Sequence, residues 1–190
     1  MSRRVRLCER SGVLPRDSHT DRLAAAVRDA IGRYDATLSA LESCTGGLLA
    51  SILTDVPGAG YFLGGAVAYL PEAKAKFGVP CDLMRRCGLV SREVALAMAE
   101  GAARWLGTDF GIGVTGVAGP DEEDGIPPGV AFAAVWGRGQ TAAVVPIEVS
   151  AADRKTAKAQ IAELTLGLLL DELDQFRRPA SPTVEAWIGR

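Results

Sequence analysis

TLSALESCTGGLLASILT, residues 37–54, carries the reading of the whole chain. Residues 37–41 are an apolar run with β-branched and small side chains, the pattern of a strand covered on both faces. ESCTGG, residues 42–47, breaks it with small polar groups and two glycines. A helix is expected from Gly47 to Leu53, directly after the glycines. Strand, tight turn and helix in immediate succession is the repeating unit of an open α/β sheet. In such sheets ligands collect at the carboxyl ends of the strands, where backbone amides of the turn and of the helix start can face an anion.

Working outward, the same alternation recurs. Upstream, residues 21–34 place Leu23, Val27, Ala30 and Ile31 at helical spacing, with Thr20 as the expected N-cap. Downstream, DVPGAG (55–60) reads as a turn and 61–69 as a strand, and Pro71 opens a short helix through Phe77. Ser91 and Glu93 start the clearest helix. It carries Val94, Met98, Ala102 and Trp105 on one face and stops at Gly107. Residues 109–115 form another strand running into GVAGP, followed by the polar loop DEEDGIPPG. Residues 130–136 and 142–149 read as a hairpin joined by GRGQ. A last helix spans about 152–176, with Ile161, Leu164, Leu168 and Leu169 inward. The pattern implies an α/β fold, a three-layer α/β/α sandwich with a mostly parallel, mixed sheet. The expected organisation is an N-terminal arm over 1–19, one domain over 20–176 and a tail over 177–190 in which Trp187 and Ile188 could dock.

The chain of 190 residues is 48% hydrophobic and 23% charged, which suits a single packed domain. A net charge of -2 argues against a general nucleic-acid or anionic-membrane binder. No apolar run approaches the about 18 residues needed to cross a bilayer. The arginine-rich start lacks the apolar core of a secretory signal, so a cytoplasmic address is expected. Four cysteines, Cys8, Cys44, Cys81 and Cys87, form no C-x-x-C pair, and His19 is the one histidine. That is poor material for a metal site or a disulfide framework, and most of these thiols are expected to be small core residues.

Ser43 sits where an exposed hydroxyl would meet turn amides. Local pattern alone leaves two readings open: a helix cap or phosphate-binding group, and a nucleophile. A nucleophilic serine needs a base, and His19 lies in the arm. The remaining ordinary base is a lysine deprotonated by burial. Only Lys74, Lys76, Lys155 and Lys158 are available. The latter two fall on a polar face of the last helix, so the AYLPEAKAK segment is singled out. Cys44, without a histidine partner, reads as a buried neighbour.

ESCTGG (42–47), LTDVPG (53–58), VAYLPEAK (67–74), GLVSREVALAMAEGAARWLGTD (88–109) and VTGVAGPD (114–121), in this order, resemble the C-terminal domain of the CinA family. That domain is similar to the bacterial nicotinamide mononucleotide deamidases, and the resemblance runs from about residue 21 to 174. It implies hydrolysis of the carboxamide of nicotinamide mononucleotide to nicotinate mononucleotide and ammonia, without metal or cofactor, by a serine and a lysine. Carried over by motif, Ser43 would attack the amide carbon and Lys74 would move the proton. Tyr69 would orient or relay it, and amides of Thr45 and Gly46 would supply oxyanion donors. Gly47, Thr115, Gly116, Gly119 and Arg154 would complete the substrate site. The implied partner is a small-molecule nucleotide, with pairing into a homodimer, and neither nucleic acid nor membrane.

The chain departs from the family pattern at four places. Gly58-Ala59-Gly60 stands where Gly-Ser-Ser is usual, with one residue fewer. Leu70-Pro71 replaces Ser-Asn. Residues 126–130, IPPGV, lack a usual lysine and threonine, and Lys158 replaces an arginine. Such changes retune substrate choice, as in an amidase for a different amide, or leave a nucleotide-binding relative without turnover.

Overall fold

The computed structural model describes residues 18–137 and 140–176. Six α-helices and five strands alternate along the chain, five of the helices where they were expected and α4 in addition: α1 (Ser18–Gly32), β1 (Leu38–Glu42), α2 (Leu48–Thr54), β2 (Phe62–Val67), α3 (Pro71–Lys76), α4 (Cys81–Cys87), α5 (Arg92–Leu106), β3 (Phe110–Gly116), β4 (Val130–Gly137), β5 (Gln140–Glu148) and α6 (Arg154–Gln175). One sheet of order β2-β1-β3-β4-β5 holds them together. β1 pairs in parallel with β2 and with β3, while β3–β4 and β4–β5 are antiparallel. Four strands therefore share one direction and β4 opposes them, which gives the three-layer α/β/α sandwich with a mixed sheet.

Alternation along the strands sorts the core. Leu38 and Ala40 of β1 and Phe110, Ile112 and Val114 of β3 face α1, α2 and α6. On the other side, Leu41 packs with Met98 of α5, Met84 of α4 and Val79. All five residues of β1 are buried, consistent with a central strand covered on both faces. On β3, Gly111 and Gly113 face α5, and a Cβ on either would come within 2.1 Å of a helix carbonyl, that of Ala99 or Ala95. Bare backbone on the strand and alanines on the helix let the two elements touch main chain to main chain.

Caps behave largely as their chemistry dictates. Ser91 Oγ accepts the Val94 amide at 3.3 Å, and Gly107 closes α5 in the left-handed region. Asp153 caps α6 by accepting the Thr156 amide at 2.9 Å. That bond holds the Asp153 carboxyl below the usual carboxylate range.

Several expectations need correction. Thr20 lies inside α1, which begins at Ser18, and its hydroxyl donates to Glu163 rather than capping the helix. His19 belongs to the first turn of α1, not to an arm. β2 ends at Val67, because residues 68 and 69 turn toward α3. α4 was not expected at all. Leu164 is 50% exposed rather than inward, at the margin of a stripe formed by Ile161, Thr165, Leu168 and Leu169. Trp105 lies half-exposed, edge-on to Phe77. Cys44 is buried as expected, but Cys81 is exposed and Cys87 half-buried. Residues 1–17 of the arm expected over 1–19, Cys8 among them, and the tail with Trp187 and Ile188 lie outside the described residues.

Close contact between β3 and α5 makes the strand glycines intolerant of substitution. Gly113→Ala is expected to cost about 1–3 kcal/mol through overpacking, measured by denaturant unfolding.

Candidate functional site

Parallel pairing sets the site before any side chain is considered. Glu42 lies opposite Val67 in the register, so the chain leaves β1 and β2 at the same edge, side by side. The first residues beyond the strands are then locked. The Ala68 amide donates to the Glu42 carbonyl at 2.7 Å, and the Ser43 amide donates to Val114 of β3 at 3.0 Å. Ser43 therefore starts its turn beside the segment that leads to α3.

Pro71 opens α3 and sends Lys74 back toward this edge. The Lys74 side chain is 1% exposed. Its Nζ lies 3.0 Å from Ser43 Oγ, 2.9 Å from the Ala68 carbonyl and 2.8 Å from the Tyr69 carbonyl, donating to each as an ammonium. Burial pulls the Lys74 pKa below the ordinary 10.5, with Cys44 and then Glu123 acting in the opposite direction. As a neutral amine, Lys74 keeps two N–H groups for the two carbonyls. Its lone pair then faces Ser43, whose hydroxyl becomes the donor.

Glu42, which sequence reasoning passed over, is 1% exposed and curls over the turn that follows it. Its Oε2 accepts from Thr45 Oγ1 at 2.7 Å and from the amides of Gly47 at 2.9 Å and Leu49 at 3.1 Å. Its Oε1 accepts from the Ala50 amide at 2.9 Å. Four donors on two oxygens is the pattern of a carboxylate, and it fills the amino end of α2. The anion-binding role expected of this helix start is thus taken by the protein's own side chain. A carboxylate at the end of an apolar strand, with no lysine or arginine between Arg33 and Lys74, was the signal that could have drawn attention to it.

The remaining expected site residues divide in two. Gly46 adopts φ 63°, and its amide donates to the Ser43 carbonyl at 3.1 Å, so it is committed to the turn rather than open to an oxyanion. Arg154, at the start of α6, donates to the Gly119 carbonyl and, at 2.7 Å, to the Tyr69 hydroxyl. Tyr69 is half-exposed and meets Lys74 through its carbonyl, not its phenol. Thr115 is buried, with its hydroxyl donating to the Leu89 carbonyl at 2.9 Å. At Gly116 a Cβ would strike Ala131 of β4, and at Gly119, with φ 83°, it would crowd Pro128. Packing accounts for both glycines.

Beside the turn lies a cleft of about 650 Å³, lined by Thr45, Gly46, Gly47, Arg154, Lys155 and Lys158 among others. The Lys158 ammonium stands over Gly46, 2.9 Å from where a Cβ would be. Three cations from one turn and a half of α6 thus line a cleft beside the turn that follows Ser43. Among the described residues, no group of three or more His, Cys, Asp or Glu is placed to hold a metal ion. No helix there is long and apolar enough to cross a membrane.

Comparison with known proteins places this geometry in context. A family model described as the CinA C-terminal domain matches residues 20–173. A CinA-like protein of Myxococcus xanthus is 42% identical over 164 residues, covering 84% of this chain and 38% of that protein. A CinA-like protein of a Synechococcus species is 47% identical over 120 residues, covering 62% and 29%. The chain thus spans well under half the length of these relatives. Among solved structures, the competence/damage inducible protein CihA from Agrobacterium tumefaciens superposes with a TM-score of 0.78 at 29% identity, covering 84% of this chain and 98% of that one. A CinA superfamily protein from Escherichia coli gives 0.77 at 30% identity, covering 88% and 94%.

Cys44, next to the serine, is kept protonated by burial, which pushes its thiol up to about 12. In the native protein at pH 8, iodoacetamide is expected to modify exposed Cys81 and to leave Cys44 intact until the chain unfolds, as read by peptide mass spectrometry.

Proposed function

Because the chain belongs to the CinA C-terminal domain family, we propose that it is an amidohydrolase that converts nicotinamide mononucleotide to nicotinate mononucleotide and ammonia through Ser43 and Lys74. The observation that carries the reading is the buried 3.0 Å contact between Lys74 Nζ and Ser43 Oγ, with the two other amine partners fixed as backbone carbonyls.

In this mechanism neutral Lys74 takes the Ser43 proton as Oγ bonds to the carboxamide carbon, and the carbonyl electron pair moves onto oxygen. Amides of Cys44 and Thr45, which Ser43 and Glu42 do not engage and which otherwise face the Cys44 thiol, supply the oxyanion donors. Collapse breaks the C–N bond, and the Lys74 ammonium gives its proton to the departing nitrogen, which leaves as ammonia. Water then attacks the acyl ester and yields a proton to Lys74. The C–Oγ bond breaks, and Lys74 returns the proton to Ser43. Every step uses one base and needs no metal. Arg154, Lys155 and Lys158 favour a substrate with an anionic group, and the Tyr69 phenol, held by Arg154, keeps its own hydrogen for a ligand acceptor.

Ser43→Ala and Lys74→Met are each expected to lower ammonia release from nicotinamide mononucleotide by about 10³-fold or more, with unfolding midpoints followed alongside. Lys74→Arg, which keeps the charge but cannot deprotonate, should be equally inactive. The working form of Lys74 is the neutral one, and its pKa lies below 10.5. The rate should therefore rise with pH through that lowered value and level off above it. A rate that is flat across the same range contradicts lysine as the base.

A further inference from the structure

Glu42 is used by none of the steps above, yet it contacts both halves of the site. Its carboxylate accepts four hydrogen bonds that fix the turn carrying Ser43: from the Thr45 hydroxyl and from the amides of Gly47, Leu49 and Ala50. Its own carbonyl accepts the Ala68 amide at 2.7 Å, and the Ala68 carbonyl in turn accepts from Lys74 Nζ at 2.9 Å. One residue thus ties the nucleophile's turn on one side to the anchor of the base on the other.

A helix cap alone does not demand this residue. Serine, threonine, asparagine or aspartate at the residue before the helix is the ordinary solution. Here that position is Gly47, which makes no side-chain cap, and the carboxylate arrives from five residues upstream in the strand. A glutamate placed there stretches across the whole of residues 43–47 and holds the turn from within. The carboxylate also stands at the positive end of α2, which keeps that end from drawing a substrate anion onto the amides beside Ser43.

We propose that Glu42 is a positioning residue for the serine–lysine pair, its buried carboxylate holding Ser43 Oγ within reach of Lys74. The proposal rests on the hydrolase reading and concerns the geometry of its reactive pair rather than substrate binding. Loss of the carboxylate should therefore act on kcat and spare KM, since misplacing reacting groups by an ångström costs rate more than affinity.

The test uses Glu42→Ala and Glu42→Gln in the full chain, with unfolding midpoints recorded for both. Truncation to alanine removes the atoms of one acetate, so sodium acetate can refill the space, whereas acetamide lacks the second acceptor oxygen. Glu42→Ala should lose about 10²-fold in kcat for ammonia release from nicotinamide mononucleotide, with KM within about 3-fold of wild type. Acetate, but not acetamide, should restore kcat about 10-fold, an effect that a merely structural role does not produce. Glu42→Gln, which keeps the volume, should lose kcat to a similar extent and covers the case in which the alanine variant does not fold. Wild-type kcat in either variant, or a folded Glu42→Ala that acetate fails to revive, overturns the proposal.

Labelling of Ser43 by a fluorophosphonate separates this from the choice of substrate. The Ser43 Oγ–phosphorus bond forms, fluoride leaves and the serine proton passes to Lys74, without any nucleotide. If the wild type labels but does not release ammonia, the substrate reading fails and the labelling rates of the two variants decide Glu42. If the wild type neither labels nor turns over, the nucleophile and this proposal fall together.

Discussion

A lysine nitrogen with almost no access to water is the constraint on which the rest of the site depends. Taking an ammonium out of water is costly unless its donors are satisfied or its proton leaves. Lys74 meets this with two fixed carbonyls, those of Ala68 and Tyr69, and one hydroxyl, that of Ser43. The arrangement can hold either protonation state: three donors as an ammonium, or two donors and a lone pair as an amine. Burial tilts the balance toward the amine. The group next to the lone pair is the one hydroxyl that a nucleophile requires.

Secondary structure supplies those partners for a geometric reason. Parallel strands in register end at the same edge, so the residues following β1 and β2 are neighbours although they are some 25 positions apart in the chain. Pro71 then starts α3 at a point from which the fourth residue reaches back over the sheet end. Electrostatic roles are split between two helices. α2 has its amino end closed by Glu42, and α6 brings Arg154, Lys155 and Lys158 to the open side of the turn. In the proposed function a negative ligand is attracted by the side-chain cations beside the turn, while the amides of the helix start remain engaged by the protein.

Much of this was legible in the residues. Gly, Pro and Ser punctuate nearly every element, so Ser91, Gly107, Pro71 and the two glycines after β1 mark boundaries that propensity alone leaves blurred. Ser43 and Lys74 were found together because a chain with four lysines and one histidine offers few bases. α4 was missed since CDLMRRC is short and buries only Met84, with Leu83 partly covered; its signals were Pro80 before it and Gly88 after it. Glu42 was missed for a different reason. Its function depends on a side chain folding back over five residues, and strand or helix periodicity contains nothing of that. Gly116 and Gly119 illustrate the converse, since glycines in a loop near a site suggest ligand approach, whereas Ala131 and Pro128 occupy the space that a side chain would need.

The central claim is that Lys74 is uncharged under conditions in which ordinary lysines are not. With four lysines in the chain, the side-chain ¹³Cε resonances can be followed individually in an NMR titration and assigned by substitution. The account predicts that one resonance, lost in Lys74→Arg, titrates below 10.5 and apart from the other three. If the Lys74 signal moves with the rest in the ordinary lysine range, the amine is a charged structural donor, and the serine beside it has no base.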